Sequence, residues 1–439
     1  MRFRAELAGN IDLFDLHRRD PLAYPFLLQS VASHPQSGRY DILFAFPETA
    51  LTAQSGRDFF ADLSDQISAE APVLSSDALF CGGWFLLLGY EAARFVEATL
   101  KLPHSPYQLP DALAVRCKGA VIYDRERKIS ELIAEDSERQ LKKLEADCKF
   151  NFNNDTQVND FKIIKSFEEE PEQHFIHGVR QIHEYLKSGD IFQVNLSRKW
   201  QAELADGVDY LAVYSALRQR NPAPFAGLAH WQGSTVLSSS PERLIRVEKG
   251  WAETRPIAGT RPRSSRALED ENLLKGLKGN LKERAEHVML IDLERNDLGR
   301  VCEPGSIEVS ELMTTESYAH VHHIVSNIRG KLRPNIGPAE AIRAIYPGGT
   351  ITGCPKVRAM QIIAELEGEG RGPYTGAMGY ISRCGRMDTN ILIRSLVCED
   401  GRVSFRAGAG IVADSQAEAE LAETRAKARG LLLALGVTL

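Results

Sequence analysis

At 439 residues, 26% of them charged and with a formal net charge of −6, the chain can bury a large core and is too acidic to hold nucleic acid mainly through phosphate contacts. Met1-Arg2-Phe3-Arg4 leads into Glu6 and Asp12 and not into an apolar stretch, and the longest uncharged apolar run, Ala78 to Tyr90, falls short of the roughly 20 residues of a membrane span. No secretory leader, membrane partner or nucleic-acid partner is expected, and the expected location is the cytoplasm.

From the N-terminus to about Lys128, short apolar runs broken by Gly, Pro and Ser predict strands at Ile42 to Phe46, Leu79 to Tyr90 and Val115 to Tyr123, with a helix at Phe59 to Ile67. A charge-rich helix from Asp136 to Cys148, the polar turn Asn151 to Asp155 and the acidic run Glu168 to Glu170 mark a candidate boundary. A solvated insertion in one continuous fold has the same composition. The predicted organisation is an N-terminal α+β lobe over residues 1–150 and a second unit over 170–439, the two sharing one sandwich. Phe175, Val179, Ile182 and Leu186 recur at helical spacing ahead of Gly189, which predicts an amphipathic helix over Glu172 to Ser188. Strands follow at Ile191 to Trp200, Thr235 to Ser239, Leu244 to Val247, Met378 to Ser382, Asn390 to Val397 and Val403 to Ala407. Short strands with tight glycine turns and intervening helices predict an α+β fold, largely antiparallel. The seven cysteines are scattered without a Cys-x-x-Cys pair, so they read as reduced and structural, and zinc is not indicated.

Thr254 to Arg263 sets three arginines around a proline-stiffened turn whose Gly259 and Thr260 allow close approach of a ligand, a candidate anion site. The alternative is a basic surface loop. Glu283 and Glu286 share a face of a helix over Lys282 to Arg295, whose second half is apolar nearly all round and so reads as buried. A second helix reads as starting at Ser415 with Glu418 in a capping box, and it carries Glu420, Glu423 and Lys427 on one stripe. Paired glutamates without clustered His or Cys suit a hard oxygen-seeking ion, Mg2+ before Zn2+; solvated helix faces are the alternative. Ser240-Pro241-Glu242-Arg243 puts an acid in a turn. The histidines of Tyr318 to His323 lack metal-ligand spacing, and Gly349 to Lys356 fails the phosphate-loop pattern because Pro355 stands where an N–H is needed.

Taken in order, these segments resemble the chorismate-utilising enzymes, the large subunits of anthranilate synthase and aminodeoxychorismate synthase among them. The match runs from Gly189-Asp190-Ile191-Phe192-Gln193-Val194-Asn195-Leu196-Ser197 through Ser240 to Arg243, Thr254 to Arg263, Arg284 to Asp297, His322 to Ser326, Pro347 to Met360, Gly372 to Tyr380, Asp388 to Arg394 and Gly408 to Lys427. The resemblance implies two packed, largely antiparallel sheets flanked by helices. It implies Mg2+ held by Glu286 and Glu423, supported by Glu283 and Glu420, gripping the ring carboxylate of chorismate beside Lys427. Arg394, Tyr380 and the backbone of Gly408, Ala409 and Gly410 would take the enolpyruvyl carboxylate, with Gly259, Thr260, His323 and Thr350 lining the ring. Glu242 would be the general acid at the C4 hydroxyl. Gln193 stands where water-adding relatives carry a base lysine, and Ala258 where many aminodeoxychorismate synthases carry a nucleophilic lysine. Leu28, Ser30 and Pro222 correspond to the family's tryptophan pocket, with Gln29 where feedback-regulated members have Glu. Asn195, the Pro347 to Gly353 stretch and Asp388 to Arg394 are more similar to aminodeoxychorismate synthase; Ala258 points to anthranilate synthase. The expected activity is chorismate amination to 4-amino-4-deoxychorismate, through noncovalent 2-amino-2-deoxyisochorismate, with ammonia from a glutamine amidotransferase subunit. The alternative is anthranilate formation with loss of pyruvate.

Overall fold

The computed structural model describes all residues except 1–2, 10, 33–37, 54–56, 71–72, 74–77, 150–161, 265, 318–320 and 438–439. The polar turn Asn151 to Asp155 and His320 therefore lie outside the described residues. The fold is α+β, and every strand pairing among the described residues is antiparallel. Strands at both ends of the chain are hydrogen-bonded into one twenty-strand network.

The strands between residues 26 and 124 sit in the middle of that network, and Phe3–Ala8 pairs with Ile129–Ala134 at an edge. Phe26–Gln29 pairs with Phe225–Trp231 on one side and Tyr40–Thr52 on the other. Gly83–Leu88 lies between Ala112–Asp124 and Ala377–Ser382. These strands read as continuous apolar runs because both faces are covered: all six residues of Gly83–Leu88 are buried. Toward one end the ladder passes through Ser234–Ser240, Ser395–Glu399 and Arg402–Ile411 to Gln193–Leu204. Toward the other it passes through Met387–Ile391, Arg243–Glu248 and Trp251–Thr254 to Val321–Lys331.

The helix expected after Pro171 forms over Glu172–Lys187, with Ser188 as its C-cap and Gly189 at φ +80°, and it buries Phe175, Val179 and Ile182. Leu281–Gly299 is buried along one stripe, His287, Leu290, Ile291, Glu294, Asp297 and Leu298, and not all round; Val288 is exposed. The last helix is Ala417–Ala434. No capping box opens it: Gln416 is its N-cap, and the Ser415 hydroxyl instead accepts a hydrogen bond from the Val412 N–H at 3.1 Å. No helix among the described residues is long and apolar enough to cross a membrane.

Candidate active site

Two neighbouring strands create the site by breaking together. The pairing of Arg243 with Asn390 and that of Ser238 with Ser395 belong to one register, but the ladder between them is interrupted. Pro241 removes a donor, and Arg394 adopts φ +52°, so the predicted single strand Asn390 to Val397 is split into Met387–Ile391 and Ser395–Glu399. Single bonds hold the corner: Ser239 N–H to Arg394 O at 3.1 Å, Ile391 N–H to Glu242 O at 3.0 Å and the Ser240 hydroxyl to Ile391 O at 2.6 Å. Both strands turn here from one arm of the network to the other, which sets Glu242 and Arg394 at the corner.

Glu242 is buried, and desolvation pushes its carboxyl from the ordinary 4.5 up to about 7. The Thr350 hydroxyl, the Ile257 N–H at 3.4 Å and the Lys427 ammonium oppose that rise, and the Glu294 carboxylate adds to it. The Thr350 hydroxyl faces the carboxyl without a hydrogen bond of normal geometry. Arg394 is half-buried with no ion pair to a carboxylate among the described residues; burial lowers its basicity and Glu242 partly restores it. A guanidinium without an ion-paired carboxylate, next to a carboxyl that burial disposes to keep its proton, is poised for an anionic ligand.

The expected ring-lining residues gather around this corner. His323 is buried, and desolvation with the nearby Arg394 charge pushes it down to about 3, so it is neutral despite its bond to the Gly259 backbone. Gly259 sits at a bulge in the pairing of Ile257–Pro262 with Val321–Lys331, at φ +73°. A Cβ there would lie 2.6 Å from Glu283 Oε2. Ala258 is buried, paired with Ile324, and Thr260 is paired with His323.

Gln193–Leu204 and Arg402–Ile411 supply the other wall. The Gln193 and Asn195 side chains reach diagonally over Gly410 and Gly408: an added Cβ would meet Gln193 Nε2 at 2.4 Å on Gly410 and Asn195 Oδ1 at 2.7 Å on Gly408. Alternation turns the methyl of Ala409 into the hydrophobic core, so Ala409 offers the site its backbone only. The Lys427 ammonium donates to Gly408 O at 3.0 Å and pairs with Glu423 at 2.8 Å.

Tyr380 does not reach this site. Its ring packs in an aromatic cluster with Phe80 and Phe44, centroids 5.9 and 6.2 Å away. Tyr374 stands there instead, with its hydroxyl 2.9 Å from where a Gly408 Cβ would be. Thr375 at φ +63° ends the turn before the strand begins at Ala377, so the even spacing of the two tyrosines does not put them on one face. The arginines of Thr254 to Arg263 are also reassigned. Arg255 pairs with Glu311 and Glu316, Arg261 with Glu283 and Arg263 with Asp270, all within 2.9 Å, so the segment is two neutralised strands and not an anion-binding turn. Ser30 and Pro222 are brought close, since Val31 N–H bonds Ala223 O at 3.0 Å. The Ser30 hydroxyl donates to Tyr40 O and its N–H to Asp41, Leu28 packs on the aromatic cluster, and the Gln29 amide turns away to accept from Tyr214.

A profile of the family described as chorismate binding enzyme matches residues 25–433. The chain belongs to that family. It is 39% identical over 412 residues to an anthranilate synthase component I-like protein of Synechocystis sp., covering 92% of this chain and 84% of the relative. It is 36% identical over 437 residues to aminodeoxychorismate synthase component 1 of Escherichia coli, covering 95% of each. Among solved structures, anthranilate synthase component I from Streptococcus pneumoniae superposes with a TM-score of 0.80 at 30% identity, covering 91% of this chain and 93% of that one.

For a chorismate binding enzyme the donor set suits Mg2+ in kind: the acids offer only carboxylate oxygens, and Glu283 Oε2 is buried without a hydrogen-bond partner. Glu420 is buried and Glu286 half-buried, while Glu423 is exposed. The four do not form one cluster. Among the described residues no group of three or more His, Cys, Asp or Glu stands close enough to hold a metal ion.

Proposed function

We propose that the chain is the aminating component of an aminodeoxychorismate synthase, a transferase that converts chorismate and ammonia to 4-amino-4-deoxychorismate for 4-aminobenzoate and folate biosynthesis. The observation that carries this reading is the strand corner, where a carboxyl that burial raises to about 7 stands beside Arg394, which has no carboxylate ion pair among the described residues. Arg394, the Tyr374 hydroxyl and the Gly408 to Gly410 backbone take the enolpyruvyl carboxylate, and Lys427 serves the ring carboxylate. If Glu286 and Glu423 draw together on Mg2+, with Glu283 and Glu420 in support, the ion would neutralise the charge of that carboxylate. The chain's own groups perform the proton work. Glu242 gives its proton to the departing C4 hydroxyl as ammonia adds at C2, and water leaves. A second ammonia enters at C4 and expels the C2 amine, so one ammonia is consumed for each water released. Gln193, an amide, is no base for water, which disfavours hydration at C2. Ammonia comes from a separate glutamine amidotransferase subunit, a pairing in keeping with the "component 1" names of the relatives.

Ala258 favours a second reading, anthranilate synthase component I, in which the C2 proton is removed and pyruvate eliminated. Incubating the chain with chorismate, Mg2+ and an ammonium salt tests the choice. A product that gives 4-aminobenzoate only after an aminodeoxychorismate lyase is added supports the proposal; fluorescent anthranilate without lyase overturns it.

A further inference from the structure

The ladder between Gly83–Leu88 and Ala377–Ser382 ends with Gly83 opposite Ser382. One more bond, Arg383 N–H to Gly82 O at 2.9 Å, carries it a step further. Beyond it the chain turns, with Gly385 N–H bonded to Ser382 O at 2.8 Å, and Cys384 lies in that turn beside Cys81. The thiols are already in contact. The Cys81 sulfhydryl hydrogen-bonds the Cys384 sulfur, and the Ser382 hydroxyl lies 3.2 Å from one and 3.3 Å from the other.

The two cysteines are not equivalent. Cys81 is fully buried, whereas Cys384 is partly exposed and lines a cavity of about 310 Å³ with Glu70, Trp84, Ile381 and Arg383. The donors on Cys384 favour its thiolate: Cys81 first, then Ser382, then the backbone N–H and guanidinium of Arg386, together holding the thiol below the ordinary thiol range against the burial that raises it. Of the charges lining the cavity, Arg383 is paired with Glu70 and Glu135, so neither of those carboxylates stands as an unpaired like charge.

We propose that Cys384 and Cys81 form a redox couple, Cys384 reacting with a hydroperoxide that enters the cavity and Cys81 resolving the product to a disulfide. The Cys384 thiolate attacks the terminal peroxide oxygen, the O–O bond breaks, and the leaving alkoxide takes a proton to become an alcohol (water, for hydrogen peroxide). The Cys81 sulfur then attacks the sulfenic sulfur, an S–S bond replaces the S–O bond, and hydroxide leaves with the Cys81 proton as water. Two thiols give up two electrons, and the peroxide accepts them. A dithiol reductant reverses the bond. The disulfide ties the segment before Gly83 to the turn after Ser382, and the couple does not depend on the substrate reading.

The test uses the reduced full chain and hydrogen peroxide. Stoichiometric peroxide is expected to remove two of the seven thiols, and non-reducing peptide mapping is expected to find one dithiothreitol-reversible link, between the Cys81 and Cys384 peptides. With Cys81→Ser, Cys384 is expected to stop at the sulfenic acid and be trapped by dimedone; with Cys384→Ser, no thiol is expected to be lost at the same dose. Iodoacetamide is expected to alkylate Cys384 of the unaltered chain at pH 6, where ordinary thiols are almost wholly protonated. An unchanged thiol count, a link between other cysteines, or Cys384 alkylation that begins only above about pH 8 overturns the proposal, and none of these requires a variant to fold.

Discussion

Replacing Glu242 by Gln is expected to make the protein more stable at alkaline pH while removing its activity. In the unfolded chain the carboxyl titrates near 4.5, and in the folded chain near 7. Between those values the native state keeps a proton that the unfolded state has lost, so stability falls as pH rises through the window and the whole cost is present above it. At about 1.4 kcal/mol per pH unit, the gap amounts to roughly 3 kcal/mol. A glutamine has the same shape and never ionises. Urea unfolding of the two proteins at pH 4.5 and pH 8.5 is expected to show little difference at the lower pH and an advantage of about 3 kcal/mol for the variant at the higher. Chorismate turnover by the variant is expected to fall by about 10²–10⁴-fold, the usual worth of a general acid. A stability difference that is the same at both pH values, or turnover that survives, would refute the role of burial in keeping this acid protonated.

Arg394→Met removes a charge-assisted contact worth roughly 1.5–3 kcal/mol, so steady-state kinetics should show KM for chorismate raised about 10- to 100-fold with a smaller change in kcat, and no loss of melting temperature, because no carboxylate is left without its partner. Tyr374→Phe should raise KM about 10- to 100-fold, the worth of one hydrogen bond to a charged group, whereas Tyr380→Phe should leave kinetics unchanged. Equal effects of the two would place the enolpyruvyl group elsewhere. Glu423→Gln should abolish Mg2+-dependent turnover and leave the melting temperature alone, since Glu423 is exposed; unchanged activity would remove it from the metal site.

The elements easiest to read in the sequence were those whose pattern is local. The Glu172–Lys187 helix follows from its apolar spacing and Gly189, and the strands around Val194, Val236 and Phe405 follow from short apolar runs between turns. What stayed hidden depended on partners distant in sequence. Nothing local in Thr254 to Arg263 reveals that Glu311, Glu316, Glu283 and Asp270 neutralise its arginines. The corner at Glu242 and Arg394 was half legible: Pro241 signals a break in one strand, but the matching break at Arg394 comes from a left-handed residue that composition does not announce. The resemblance named Tyr380 and not Tyr374; both lie in the Gly372 to Tyr380 segment, and it is Thr375 at φ +63° that keeps them from sharing a face. A tyrosine just ahead of a Thr-Gly pair, where a chain turns into a strand, was the available signal.

The account rests on retention of the enolpyruvyl group while an amine replaces a hydroxyl. Pyruvate released per chorismate consumed, measured with the pure chain, Mg2+ and ammonium, tests that claim most directly. A ratio near zero while chorismate disappears is the predicted result; a ratio near one contradicts it.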